Sequence, residues 1–559
     1  MVSLFNALNI STNALTVNES AISVVSHNVA NMNTEGYSKQ KVNLATRNIA
    51  GAIGDSVQAQ IRANGGVKIA NVMRYNDSYL NNYYRDQLSI LKGYEAQLGN
   101  LGDLADVFND LEGEGISAAL DDFYKAVNNL NEYPASSTAR VNFIESAKTL
   151  TNTLNAKDLQ LSQLTSQALG DGDSVEALRA SQIYDEFEVF NNLLDELAGI
   201  NKALQVTQTG TLEANNLLDK REMLLNDIAK FVDIDVEENP FNGSVTLYVG
   251  GEALVKGAKV TGELGIMTAR EFVEANPEKY PNGYPADWIV RDEAGEPVLD
   301  VNGNLIAREK VVISIISPDG DVINENANSF LTTGSLGGLL HSADVEADGM
   351  NVGVAQETLN NIAQAVANLF NDLNTRDGAY SINPNDTGKL LKVDDNNKTL
   401  IFVGSDGTRD KITAGNIQIN SELLSDTGCW KIACAYFANP DGLDVPPTFD
   451  ENAIGNAQNA IAMLETRTEK QPQFGNMTVE DYYTNLLGKI AATGSSAQAL
   501  VDTQADVVES INSQILSNNS VDINEELVDL VKYQTAYSAA AQVFNTCNTC
   551  LDTLMALGG

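Results

Sequence analysis

The stretch SHNVANMNTEGYSKQ, Ser26 to Gln40, places Asn28, Asn31 and Asn33 together at the end of a long apolar-periodic segment. Upstream, Leu8, Leu15, Ile22 and Val29 recur every seven residues, with Ala7, Ala14 and Ala21 alongside. This period predicts a helix from about Leu4 to Asn31 with a narrow apolar seam, ~42 Å long at 1.5 Å per residue. Asparagine tolerates the left-handed conformation, and its amide can satisfy carbonyls left open in a last turn, so Asn31 or Asn33 is the expected stop. Gly36 then suits the positive φ of a tight turn, and Tyr37, Lys39, Val42 and Leu44 begin an extended segment. The asparagines have a second reading. Buried amides, each needing partners, fix the register between packed helices at a cost in stability.

The other end of the chain carries a matching pattern. Leu527, Leu530, Gln534, Tyr537, Ala541, Phe544, Asn548, Leu551 and Met555 step by three and four, with Leu554 beside the last of them. Asn524 is the expected cap, with Glu525 and Glu526 in the first turn, where the helix dipole favours negative charge. Glu19 is the only charged residue from Met1 to Thr34, and Asp529, Lys532 and Asp552 are the only ones from Leu527 to Gly559. A lone surface helix usually carries charge on its wet face, so these two ends are expected to be buried between subunits, as an intermolecular coiled coil.

The remaining composition excludes several classes. With 75 acidic and 35 basic residues, the 559-residue chain has a net charge of −40. That repels nucleic acid and anionic membrane surfaces, so neither is an expected partner. Four cysteines and two histidines leave little for a disulfide scaffold, imidazole catalysis or zinc. No run approaches the ~20 apolar residues of a spanning helix. The first 38 residues lack Lys and Arg, so any export is expected to proceed without a cleavable secretory signal.

AISVVSHNVANMNTEGYSKQ resembles the amino-terminal signature of bacterial flagellar axial proteins, the family of rod, hook and hook-associated subunits. VDINEELVDLVKYQTAYSAAAQVFNTCNTCLDTLMAL is similar to the matching carboxy-terminal motif, with Glu525, Leu530, Gln534, Tyr537, Ala540 and Leu551 to Leu554 in place. GISAALDDFYKAVNNLNEYPASSTARVNFIESAKTL, ANNLLDKREMLLNDIAKFVDIDV, GSLGGLL and NLFNDLNTRDG resemble the hook-associated branch. The resemblance implies a homo-oligomeric layer that contacts hook protein on one side and hook-associated protein 3 on the other. It also implies an export chaperone on the carboxy-terminal helix and an extracellular place on the flagellum.

The interior predicts a multidomain α+β fold. The expected parts are a terminal helical assembly domain (1–40 with 520–559) and a helical rod-like domain (41–231 with 335–375 and 451–519). Two β-rich outer domains are inserted, at 232–334 and 376–450. Ile183 to Leu204 and Leu217 to Phe231 keep helical steps on either side of Gly210, as an antiparallel hairpin. From Val232 the pattern alternates, as in SVTLYVGG and VVISIIS, and DVNGNL offers an Asn-Gly turn. This stretch, Val232 to Gly334, holds 18 acidic and 7 basic residues, as a solvated region would.

Candidate chemistry is sparse. Asn383, Asn385, Thr387, Gly388 and Asp394 approach the spacing of a calcium loop, but the first three positions lack carboxylates. Cys547 and Cys550 fall within a predicted helix and read as small packing residues. Cys429 and Cys434 in CWKIAC can form a local disulfide if geometry allows. His27 and His341 read as packing or surface residues. No catalytic residue, metal or cofactor is expected. The resemblance implies a structural junction subunit acting as a mechanical adaptor. The alternatives are another axial protein such as the hook subunit, and a secreted acidic glycan-binding protein or glycoside hydrolase, which would need only two placed carboxylates.

Overall fold

The structure is a computed structural model, and it describes residues 2–48, 64–109, 114–170, 175–268, 273, 311–324, 330–342, 349–438 and 449–557. The DVNGNL turn lies outside them. The chain begins with α1 (Val2–Asn31), β1 (Gln40–Asn48) and β2 (Asn64–Arg74). Helices α2 (Ser78–Val107), α3 (Gly115–Glu132), α4 (Ser137–Leu169), α5 (Val175–Arg179), α6 (Gln182–Val206) and α7 (Leu212–Ile228) follow. The strands β3 (Asp235–Glu238), β4 (Val245–Val249), β5 (Glu252–Lys256), β6 (Lys259–Val260), β7 (Glu263–Thr268), β8 (Val311–Ile316) and β9 (Val322–Asn324) come next. Beyond α8 (Gly334–His341) and α9 (Val352–Thr375) lie the short strands β10 (Ala379–Ile382), β11 (Leu390–Lys392), β12 (Phe402–Val403), β13 (Gln418–Ile419) and β14 (Ala435–Tyr436). Helices α10 (Gln458–Glu465), α11 (Val479–Asn519) and α12 (Ile523–Leu557) close the chain.

Two compact units divide it. One comprises Met1–Gly93, Glu186–Gly337 and Asp502–Gly559; the other comprises Tyr94–Asp185 and Gly338–Val501. The first holds both terminal helices, the β1–β2 pair and the sheets β3–β4–β5–β6 and β7–β8–β9, all antiparallel. The alternating stretch SVTLYVGG becomes β4, whose burial alternates as a half-covered strand requires. GSLGGLL opens α8 because Gly334 takes a φ of +71° and a Cβ there would collide with the Phe231 carbonyl. Only glycine fits both conditions.

The second unit is centred on rings. Phe123 lies 4.8 Å from Phe370, 5.4 Å from Phe143 and 6.0 Å from Phe402, all fully buried. Arg140 is buried with them because its guanidinium donates to the carbonyls of Pro134 (2.8 Å), Cys429 (3.2 Å) and Ile432 (2.7 Å). The CWKIAC segment is thus gathered around a cation. Cys429 and Cys434 are free buried thiols, so the local disulfide allowed by the sequence is not formed, and burial raises the pKa of both. The Asn383–Asp394 stretch forms ordinary turns, with Asn385 N donating to Asn383 Oδ1 and Asp394 N to Asn397 Oδ1.

One device recurs in both units. Asn201 of α6 accepts from Val245 N at 2.9 Å and donates to Val245 O at 2.9 Å. Asn191 does the same to Leu264, at 3.0 and 2.8 Å. Asn371 of α9 does it to Phe402, at 3.0 and 2.7 Å. Each amide imitates one residue of a neighbouring strand, satisfying backbone groups that would otherwise be buried unpaired.

Candidate assembly site

The fourth of these clips lies in the opening stretch. Asn28 is buried; its Oδ1 accepts from Gln40 N at 3.0 Å and its Nδ2 donates to Gln40 O at 2.8 Å, docking the first residue of β1 onto α1. Its second acceptor site takes the Tyr37 hydroxyl at 2.7 Å, and its second donor reaches Glu526 Oε2 at 3.0 Å. The amide is therefore saturated. Since the Tyr37 proton goes to Asn28, the 3.0 Å contact between Tyr37 and His27 Nδ1 makes that ring nitrogen the donor. Burial, with Asp219 and Glu526 nearby, raises the Tyr37 pKa and keeps the hydroxyl protonated.

The other two asparagines have plainer work. α1 stops at Asn31, whose Nδ2 donates to His27 O at 2.9 Å. Asn33 is exposed in the turn. Gly36 has a φ of +74°, with the flexible end of Met223 where a Cβ would project.

Helix α1 packs most extensively on α12 of its own chain, so the helix expected to meet other copies has its first partner within the molecule. The contact involves Ala21, Val24, Val25, Val42 and Tyr533, flanked by Ile22 and Leu530. Leu8, Leu15, Ile22 and Val29 are half-buried, at the edge of a buried line that runs through Val17, Ala21, Val24 and Asn28. On α12 the buried residues are Glu526, Tyr533 and Cys547; Leu530, Phe544 and Leu551 are half-buried, and Leu527, Gln534, Tyr537 and Leu554 are exposed. Of the alanines Ala7, Ala14 and Ala21 that share this spacing, Ala21 is buried in the contact and the other two are half-buried. The cap of α12 is Asp522 and not Asn524: Asp522 Oδ1 accepts from Asn524 N at 2.7 Å, which puts Asn524 inside the first turn.

The turn is braced from α7. Asn215 donates to Gln40 Oε1 at 2.9 Å, Asp219 pairs with Arg74 at 2.6 Å, and Glu222 pairs with Arg85 and Arg221. These polar residues, at helical spacing, form the buried side of α7. Burial alone would raise the Glu222 pKa, but Arg85, Arg221 and Arg74 hold it down at about 2. At Asp219 burial prevails over Arg74, and its pKa is raised. Lys39 adds a bridge to Glu525 at 2.7 Å and approaches Glu526 at 3.5 Å.

α12 carries an outer apolar stripe at its start, formed by Leu527, Val528 and Val531, and leaves Val543, Leu554 and Met555 exposed further along. Val528, Val531 and Met555 are 68%, 61% and 75% exposed, and Leu527, Val543 and Leu554 are about half exposed. Such a stripe on a single helix marks a surface that another chain can cover.

The comparisons with known proteins agree with these ends. The family described as "Flagella basal body rod protein" matches residues 8–37, and "Flagellar basal body rod FlgEFG protein C-terminal" matches residues 512–557. Between them, "Flagellar hook-associated protein FlgK helical domain" matches residues 101–277. Flagellar hook-associated protein 1 of Bacillus subtilis is 26% identical over 571 residues, covering 100% of both chains. Its namesakes in Salmonella typhimurium and Escherichia coli are 24% and 23% identical, each alignment covering 98% of this chain and 99% of the relative. The flagellar hook junction protein FlgK from Burkholderia pseudomallei shares the fold with a TM-score of 0.51 at 13% identity, covering 78% of this chain and 99% of that one. From end to end the chain is thus similar to the proteins named flagellar hook-associated protein 1.

Proposed function

We propose that this chain is a structural junction protein of the bacterial flagellum, polymerising as a layer between hook and filament and acting there as a mechanical adaptor. The observation that carries the assembly is the outer stripe of α12, where Leu527, Val528 and Val531 stand 48%, 68% and 61% exposed among the described residues. Water-exposed apolar area of this kind is buried favourably against another copy or a related subunit. The interface is assigned to the two terminal helices, with Leu8, Leu15, Ile22 and Val29 of α1 and Leu527, Leu530, Gln534, Tyr537, Phe544, Leu551 and Leu554 of α12. Asn28, Asn31, Asn33, Gly36 and Tyr37 shape the turn that joins α1 to β1.

The finer reading names hook protein on one face, hook-associated protein 3 on the other, and an export chaperone that covers α12 before assembly. It places the protein outside the cell, exported without a cleavable signal. The four-part division given above belongs to this reading. The role is structural and not enzymatic.

Cells lacking the gene are expected to show hooks without filaments and flagellin shed into the medium by negative-stain imaging. Val528→Asp with Val531→Asp, which touches exposed residues only, leaves the chain folded and abolishes junction formation, because a charge in a buried interface is costly. Normal filament attachment in the double variant would remove α12 from the interface.

A further inference from the structure

Ala7, Ala14, Ala21 and Asn28 are spaced by sevens, and so are Glu526, Tyr533, Ala540 and Cys547. Two pairs across these series meet. Asn28 Nδ2 donates to Glu526 Oε2 at 3.0 Å, and Ala21 shares one cluster with Tyr533. Ala21 precedes Asn28 whereas Tyr533 follows Glu526, so the two helices run antiparallel. The same step carried onward sets Ala14 opposite Ala540, and Ala7 opposite Cys547, which is buried.

Three of these four layers are small or apolar on both sides, and a slip of one heptad preserves that character. In one direction Tyr533 meets Ala14 and Ala540 meets Ala7. In the other, Ala540 meets Ala21 and Cys547 meets Ala14, with α1 still covered along its length. Apolar packing therefore does not choose the register, and a polar layer is the usual device that does.

Glu526 is only 3% exposed. It accepts from Asn28, lies 3.5 Å from the Lys39 ammonium, and shares that lysine with Glu525. The first slip sets its carboxylate against Ala21 with no donor, and a buried unpaired carboxylate is strongly disfavoured. The second carries it beyond the end of α1 and leaves the Asn28 amide one acceptor short. We infer that Glu526 is a positioning residue that fixes α12 against α1 in one register through Asn28 and Lys39, and so sets the phase at which the outer stripe meets a neighbouring subunit. The last clause rests on the junction reading; the register does not.

The test is a disulfide pattern in the purified full-length chain carrying Cys550→Ser. On mild oxidation the Ala7→Cys variant is expected to form an intrachain disulfide with Cys547, located by peptide mapping, and the Ala14→Cys variant is not. Adding Glu526→Ala lowers the first disulfide by about tenfold, the scale of one buried charge-assisted hydrogen bond, and the slip that brings Cys547 to position 14 raises the second. Glu526→Gln, which keeps an acceptor oxygen for Asn28, retains the parent pattern. Equal cross-linking of the two variants in the parent chain would overturn the layering. An unchanged pattern in Glu526→Ala would overturn the positioning role. Each result is read whether or not filaments attach, so it is separable from failure of the junction reading.

Discussion

The ring cluster around Phe123 and the pair of terminal helices use similar apolar material and close it in opposite ways. Around Phe123, the rings of α3, α4, α9 and β12 meet on every side, and helix asparagines take up the backbone groups of the short strands. On α12, Tyr533 and Cys547 face inward while Val528, Val531 and Met555 face water. The difference shows that composition does not separate residues that close a core from residues left facing water. Burial within one molecule does.

This contrast can be broken at either end. The largest effect is expected from Phe123→Ala, which should cost about 3–5 kcal/mol because four neighbouring rings cannot collapse into the space. Denaturant unfolding of the unit that contains it measures this, and a loss below ~1 kcal/mol would mean that the cluster is not closed.

An intermediate effect concerns the ionic brace under the terminal pair. The folded-state pKa of Glu222 lies at about 2, below its ordinary 4.5. Its contribution to stability is therefore complete above pH 4.5 and is lost as the pH falls towards 2. Asp219, raised by burial, works in the opposite sense over acid pH. Glu222→Gln should flatten the acid dependence of unfolding for the unit holding α7. An unaltered acid limb would show that the brace does not couple to folding.

The smallest effect is expected where the assembly effect is greatest. Val528→Ser with Val531→Ser should change the stability of the isolated chain by no more than ~0.5 kcal/mol per site, as exposed positions do, while weakening junction formation. A cost of several kcal/mol in the monomer would mean that the stripe is already covered within the chain.

Much of this was legible in the sequence because period and punctuation are local. The seven-residue spacing and the asparagine cluster gave α1 to within two residues at its start, and SVTLYVGG gave β4. The hidden part was phase. Leu8, Leu15, Ile22 and Val29 are the bulkiest residues of their repeat, yet the inner line runs through Ala21 and Asn28, since close helix approach rewards small side chains and a satisfied amide over bulk. Glu526 reads as a dipole residue in a first turn, and its role depends on Asn28, which lies 498 positions away. The cap fell at Asp522, two residues earlier than expected, because aspartate and asparagine cap about equally well and both precede the glutamates of the first turn. The brace from α7 was not legible at all, because a helix whose polar side is buried inverts the usual pattern.

The free thiols around Arg140 bear on how such a molecule can be handled. With Cys429, Cys434, Cys547 and Cys550 all unpaired, no covalent clasp ties one part of the chain to another. The polypeptide can be drawn into a single thread of about 1,900 Å, at ~3.4 Å per residue, and can regain its shape with no oxidant to restore a bond and no isomerase to sort one.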